Sequence, residues 1–148
     1  MTRNITAFIS GHTDLTKEEF QTHYVPLLDD AVNKNYDFVT AAAFGADRMA
    51  IDYLIQERKV SPNKITVYLH ERYADRLLFY RNSGFKVKMG FSSHVDRDTA
   101  MTNDSNLDIA WLRTDEEAKE RYGSQWLKGD KSSTERNLQR RNVRLFSP

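Results

Sequence analysis

Residues 41–50 read AAAFGADRMA: a run of small apolar residues stops at Phe44, Gly45 follows, and Asp47 and Arg48 fall where a helix begins. A strand that turns directly into a helix is the unit from which parallel α/β sheets are built. The stretch therefore poses a choice. Gly45 either serves only to turn the chain tightly into a packed helix, or also leaves room for the backbone to approach a ligand.

Outward from this turn, Tyr36 to Ala43 reads as a strand and Ala46 to Arg58 as a helix with Ala46, Ala50, Tyr53 and Leu54 on one face. Upstream, Ile5 to Ser10 reads as a strand ended by Gly11, and Thr16-Lys17-Glu18-Glu19 has the form of a capping box. Phe20, Tyr24, Leu27, Leu28 and Ala31 then recur at helical spacing, with Pro26 expected to kink or restart the helix. Downstream, Ser61-Pro62-Asn63 marks a loop before the β-rich Lys64 to His70. A short helix is expected over Tyr73 to Asn82, a strand over Phe85 to Met89, a helix over His94 to Asn103 and a strand over Leu107 to Leu112. The last helix is expected from about Ser132 to Asn142. Strands separated by helices imply a single three-layer α/β, Rossmann-like domain over residues 1–148, with a mostly parallel sheet of about five strands. The charged segment 115–131, with Gly123 and Gly129, reads as an insertion or lid, or as a solvated surface excursion.

Composition narrows the function classes. Lys and Arg total 22 against 21 Asp and Glu, so no overall field draws the chain to nucleic acid or to an anionic membrane. The absence of cysteine excludes disulfides, thiolate catalysis and cysteine-ligated metals. No apolar run is long enough for a membrane span or a signal sequence, and a cytoplasmic, soluble protein is expected. No His-x-His or His-Glu-x-x-His spacing occurs, so no metal site is expected; no cofactor is expected either.

In parallel sheets, ligands bind at the carboxyl ends of the strands, where helix starts expose free amides and a positive dipole end. That rule gathers Ser10-Gly11-His12-Thr13-Asp14, Phe44-Gly45-Ala46-Asp47-Arg48, His70-Glu71-Arg72, Gly90-Phe91-Ser92-Ser93-His94 and Arg113-Thr114 along one edge. Each has a simpler reading. Ser10 to His12 also suits an ordinary strand-to-helix turn, and Asp47 also suits a helix start through the dipole.

Four elements in order resemble the SLOG superfamily, which includes DprA-like proteins, Lonely-guy-type phosphoribohydrolases and nucleotide-sensing domains. They are Ser10-Gly11-His12 after a strand, Gly45-Ala46-Asp47-Arg48 after a strand of small residues, Asp96-Arg97-Asp98-Thr99-Ala100-Met101 before LDIAWL, and Ser132-Ser133-Thr134-Glu135-Arg136-Asn137 opening the last helix. The resemblance implies a nucleotide-like ligand at Ser10, Gly11, His12, Gly45, Ala46, Asp47, Arg48, Arg97, Thr99, Ser132, Ser133, Thr134 and Asn137. Where Lonely-guy-type enzymes carry a glycine-rich loop ending in a catalytic glutamate, this chain has no glycine pair, and aligning Thr134 with the family threonine puts Asn137 at the glutamate position. An amide can neither attack an anomeric carbon nor act as a general base.

The leading expectation is thus binding of a nucleotide or nucleotide-derived molecule in a regulatory or sensing role. The alternative is an N-glycosidic hydrolase or transferase, with Asp47, Asp98 or Glu135 as candidate carboxylates. A third reading is a nucleic-acid-processing accessory protein contacting phosphates through Arg136, Arg140 and Arg144, a stripe beside which Arg141 completes a cluster. Cations near a helix carboxyl end are also commonly solvated. Tyr73, Leu77, Leu78, Phe79 and Tyr80 offer a face for a homo-oligomer contact, or a core helix face.

Overall fold

In the computed structural model, which describes residues 4–123 and 132–146, strands and helices alternate along the chain. β1 (Thr6–Ile9) leads through α1 (Lys17–His23) and α2 (Val25–Asn33) to β2 (Asp37–Thr40). From there α3 (Ala46–Asp52) leads to β3 (Ile65–His70), and α4 (Leu77–Asn82) to β4 (Lys86–Phe91). α5 (His94–Asp104) returns the chain to β5 (Leu107–Ile109), followed by α6 (Asp115–Tyr122) and α7 (Ser133–Phe146). The sheet order is β4-β3-β2-β1-β5, and every pairing is parallel.

Alternation along the strands explains the three layers, because successive side chains point to opposite faces. Ala7 and Ile9 of β1 join Phe20, Tyr24, Leu28 and Leu54 in the larger core, under α1 to α3. Phe8, between them, packs on the other face with Val39, Tyr68 and Met101, under α5. α4 closes the first face at the far edge, where Tyr80 meets Val67 and Leu69.

Local chemistry sets the helix boundaries. Thr16 and Glu19 form the capping box, with Glu19 N to Thr16 Oγ1 at 3.1 Å and Thr16 N to Glu19 Oε1 at 2.9 Å. The helix restarts at Tyr24, which puts Pro26 in the first turn of α2, where a missing amide proton does no harm. The Tyr24 ring is fully buried; its hydroxyl donates to Ser10 O (2.7 Å) and accepts from Trp111 N (3.2 Å), tying α1 to the ends of β1 and β5.

Several elements differ from the sequence expectation. β2 ends at Thr40, not Ala43, because Ala42 turns to φ 55° and its amide bonds Thr40 Oγ1 at 3.2 Å instead of the ladder. β5 ends at Ile109, since the Trp111 amide is taken by Tyr24. The second helix leaves α geometry after Asp52 and finishes as a π turn over Tyr53–Glu57, held where Tyr53 Oη and Arg58 Nη1 both reach Asp29 Oδ1 at 2.6 Å. A 3₁₀ segment, Glu71–Arg76, replaces the start of the expected helix over 73–82. The Arg141 guanidinium is not a solvated surface cation: it is buried, with Nε 3.0 Å from Asp108 Oδ2 and Nη1 3.1 and 2.8 Å from the carbonyls of Thr102 and Ser105. Arg141 thereby clamps α7 to β5 and the end of α5.

The proposed insertion begins with α6, capped by Thr114 and Glu117, and Arg121 and Tyr122 both bond Asp14 in the loop after β1. Residues 124–131 of that segment lie outside the described residues. Tyr80, read with the exposed face, is buried, whereas Leu78 and Phe79 are exposed. No helix among the described residues is long and apolar enough to cross a membrane.

Candidate ligand-binding cleft

A cleft of about 360 Å³ opens over the carboxyl ends of β1 and β2, within the usual size range of small-molecule sites. Ser10 and Gly11 line it after β1, and Ala41 to Ala43 after β2. α5 contributes Arg97, Asp98 and Met101, and the first two turns of α7 contribute Ser133, Thr134 and Asn137. Chain reversal between β1 and β5 would favour a site between those two strands. That position is filled: Arg113 N donates to His12 Nε2 (3.0 Å), and Trp111 stacks on His23 with centroids 3.9 Å apart. The opening lies on the β1–β2 side instead.

The choice posed by Gly45 resolves toward packing. Its φ is 82°, and a β-carbon there would overlap the carbonyl oxygens of His12 and Thr13. The chain thus uses the missing side chain to lay the loop after β1 against the start of α3, where Ala46 N bonds His12 O at 3.1 Å. Gly11 is constrained in the same way by Tyr24 Oη and the Ala46 β-carbon. This double approach brings Ser10 and Asp47 to one cleft.

Asp47 is 5% exposed and its Oδ2 accepts from Ala43 N at 3.2 Å. Burial raises its pKa to about 7, opposed by hydrogen bonds from Ala43 and Thr40 and by the charge of Arg97. Asp98 is also buried, but it is ion-paired: Arg97 Nε and Nη2 both lie 3.0 Å from its Oδ1. The cleft therefore holds one carboxyl with a near-neutral proton equilibrium and one compensated carboxylate.

Three guanidinium groups line the same space, against these two acids. Arg48 is fixed by Nε to Ala42 O (3.0 Å) and lies over the Phe44 ring at 4.0 Å, and Arg76 lies over Tyr73 at 4.3 Å. Ser10 Oγ is closed off from solvent and has no hydrogen-bond partner among the described residues, an arrangement that costs roughly 1–3 kcal/mol unless a ligand or water completes it. Net positive charge, free helix amides at α7 and an unmet hydroxyl suit an anionic, polar ligand.

Of the sequence-derived candidates, Ser10, Gly11, Asp47, Arg48, Arg97, Asp98, Ser133, Thr134 and Asn137 line this cleft. His12, Gly45, Ala46, Thr99, Ser132 and Glu135 do not. His12 is a backbone acceptor whose pKa is lowered by burial and by Arg113; Ser132 Oγ caps α7 by accepting from Glu135 N at 3.1 Å. Asn137 is buried and its Oδ1 accepts from Arg140 Nη1 at 2.8 Å, which takes Arg140 out of a free phosphate-binding stripe. Arg136 is exposed, and the Arg144 side chain lies outside the described residues.

Phe44 and His94, placed at strand ends by the sequence but not named as ligand residues, line the cleft, and Tyr73 and Arg76 are the lining residues that sequence reasoning missed. The strand-end rule stopped at Arg72 because it does not foresee a 3₁₀ segment that folds Tyr73 and Arg76 back over the edge. His94 stands 4.8 Å from His70, centroid to centroid, but no group of three or more His, Cys, Asp or Glu among the described residues is arranged to hold a metal. No family model, curated protein or solved structure matches the chain.

Proposed function

We propose that this protein binds a nucleotide or nucleotide-derived small molecule in the cleft over β1 and β2, in a sensing or regulatory role. The observation that carries the reading is one cleft lined by Ser10, Asp47, Arg48, Arg97 and the first turn of α7, with the buried Ser10 hydroxyl unpartnered among the described residues. Arginines and helix amides answer phosphate. Asp47 answers a hydroxyl or amine of a sugar or base, and Phe44 and Tyr73 offer apolar ring faces. The motif resemblance to the SLOG superfamily belongs to the same proposal. Purified protein incubated with a nucleotide panel, read by thermal shift and by chromatography for released base, tests it: saturable stabilisation with the ligand recovered intact is the expected result.

A second reading, cleavage of an N-glycosidic bond, draws on Asp47, a buried carboxyl whose near-neutral pKa suits proton transfer to a departing base. Against it, no second uncompensated carboxyl lines the cleft among the described residues: Asp98 is held by Arg97, Glu135 is outside the cleft and Asn137 is an amide. Released base that is lost in Asp47→Ala would favour this reading over binding alone.

A further inference from the structure

A second, larger cavity of about 680 Å³ lies against the cleft, between α3 with its π turn and the segment running from the 3₁₀ turn through α4. The two cavities share two lining residues, Arg48 and Arg76. Among the described residues, neither guanidinium has a carboxylate partner within ion-pair distance, and Arg48 is held only through its Nε, on Ala42 O. Each lies over an aromatic ring, at 4.0 and 4.3 Å, which holds the planar fork in a fixed orientation. The pair forms a cationic wall between two spaces.

The two spaces differ in chemistry. The cleft beyond the wall holds the buried Asp47 and Ser10. The outer groove is apolar along Ile51, Ile55, Phe79 and Phe85, and its polar groups include Asp52, Asp75 and Gln56. Phe79 is 67% exposed, an uncovered ring at the groove. Carboxylates repel phosphate but accept hydrogen bonds from sugar hydroxyls and base amines, so the groove suits a second nucleoside and not a phosphate.

We infer that the ligand is bipartite: a dinucleotide whose bridging phosphates lie on Arg48 and Arg76, with one nucleoside in the cleft and the other in the groove against Phe79. This inference rests on the nucleotide-binding reading of the cleft and extends it to the ligand's class. A mononucleotide would fill only the inner space and leave the outer apolar surface in water.

Isothermal titration of the full chain with the four nucleoside monophosphates and the matching symmetrical dinucleoside diphosphates tests it. For the preferred base, the dinucleotide is expected to bind roughly ten-fold or more tightly than the monophosphate. Phe79→Ser, a change at an exposed position outside the core, should remove that advantage while leaving monophosphate affinity unchanged, and Phe79→Tyr should restore it. Arg76→Ala should weaken both ligands. Equal affinities of the two ligand classes, or a Phe79→Ser variant that keeps the full advantage, would overturn the bipartite ligand while leaving nucleotide binding intact. Failure of both classes to bind would remove the nucleotide reading itself, and this inference with it.

Discussion

The carbonyl oxygen of His12 stands where a β-carbon on residue 45 would have to be, and the same oxygen accepts the amide of Ala46 at 3.1 Å. Gly45→Ala should therefore do two kinds of damage, forcing a side chain into φ 82° and pushing the loop after β1 off α3. Together these predict a loss of about 2–4 kcal/mol in urea unfolding. A loss below about 0.5 kcal/mol would mean that the turn is not packed as described.

Arg113 predicts an acid limb. Its side chain is 2% exposed and bonds Glu19 Oε1 at 2.7 Å and Asp14 Oδ1 at 2.9 Å. Hydrogen bonds from Arg113 hold Glu19 at a pKa of about 2; for Asp14, partial burial pulls upward but bonds from Arg113 and Tyr122 prevail, also giving about 2. Both folded values lie below the unfolded ones, so the stabilisation is complete above the ordinary carboxylate range and is lost as pH falls towards about 2. Arg113→Met should cost about 3 kcal/mol near neutral pH, the lower end for a broken buried pair because Asp14 is partly exposed. It should also flatten the fall in stability between about pH 4 and pH 2, a result that unfolding curves across that range would show.

Asp47 predicts the opposite slope. Its folded pKa of about 7 lies above the unfolded value near 4, so the native state holds the extra proton in between. Stability contributed by this group is present below about pH 4 and declines as pH rises to about 7, then stays level. Asp47→Asn, which never ionises, should be more stable than the parent at pH 8, with the difference shrinking as pH falls. Parallel stability curves for the two proteins from pH 5 to pH 8 would contradict the burial of a titrating carboxyl.

How much of this was legible follows from which residues speak locally. Thr16 and Glu19, Pro26 and Gly45 announce themselves because capping boxes, missing amides and positive φ are short-range requirements. The strand order along the chain was readable for the same reason, from alternating apolar runs. Arg141 was not: nothing in Arg140-Arg141 distinguishes the residue on Asn137 from the one buried on Asp108, a contact 33 positions away. His12 lies outside the cleft lining, its ring accepting from Arg113 N, a contact that only the fold creates. Within the cleft, Ser10, Asp47 and Thr134 could be placed from strand ends and a helix start, whereas Tyr73 and Arg76 depended on an unforeseen 3₁₀ turn.

Ser10→Ala separates stability from binding. Because Ser10 Oγ has no partner among the described residues, removing it should leave stability unchanged or raise it slightly, by at most about 1 kcal/mol. Ligand affinity should nonetheless fall about five- to ten-fold, the loss expected for one net hydrogen bond. A thermal unfolding scan beside a titration reads both, and a destabilised protein with unaltered affinity would show that the hydroxyl serves the fold alone.

The most direct measurement is amide chemical-shift mapping of the isotope-labelled protein titrated with nucleoside monophosphates. The proposed function predicts saturable shifts concentrated at Ser10, Gly11, Ala43, Asp47, Ser133 and Thr134, and their loss in Arg48→Ala with Arg97→Ala. Saturable shifts centred elsewhere, or none at millimolar nucleotide, would contradict a nucleotide site over β1 and β2.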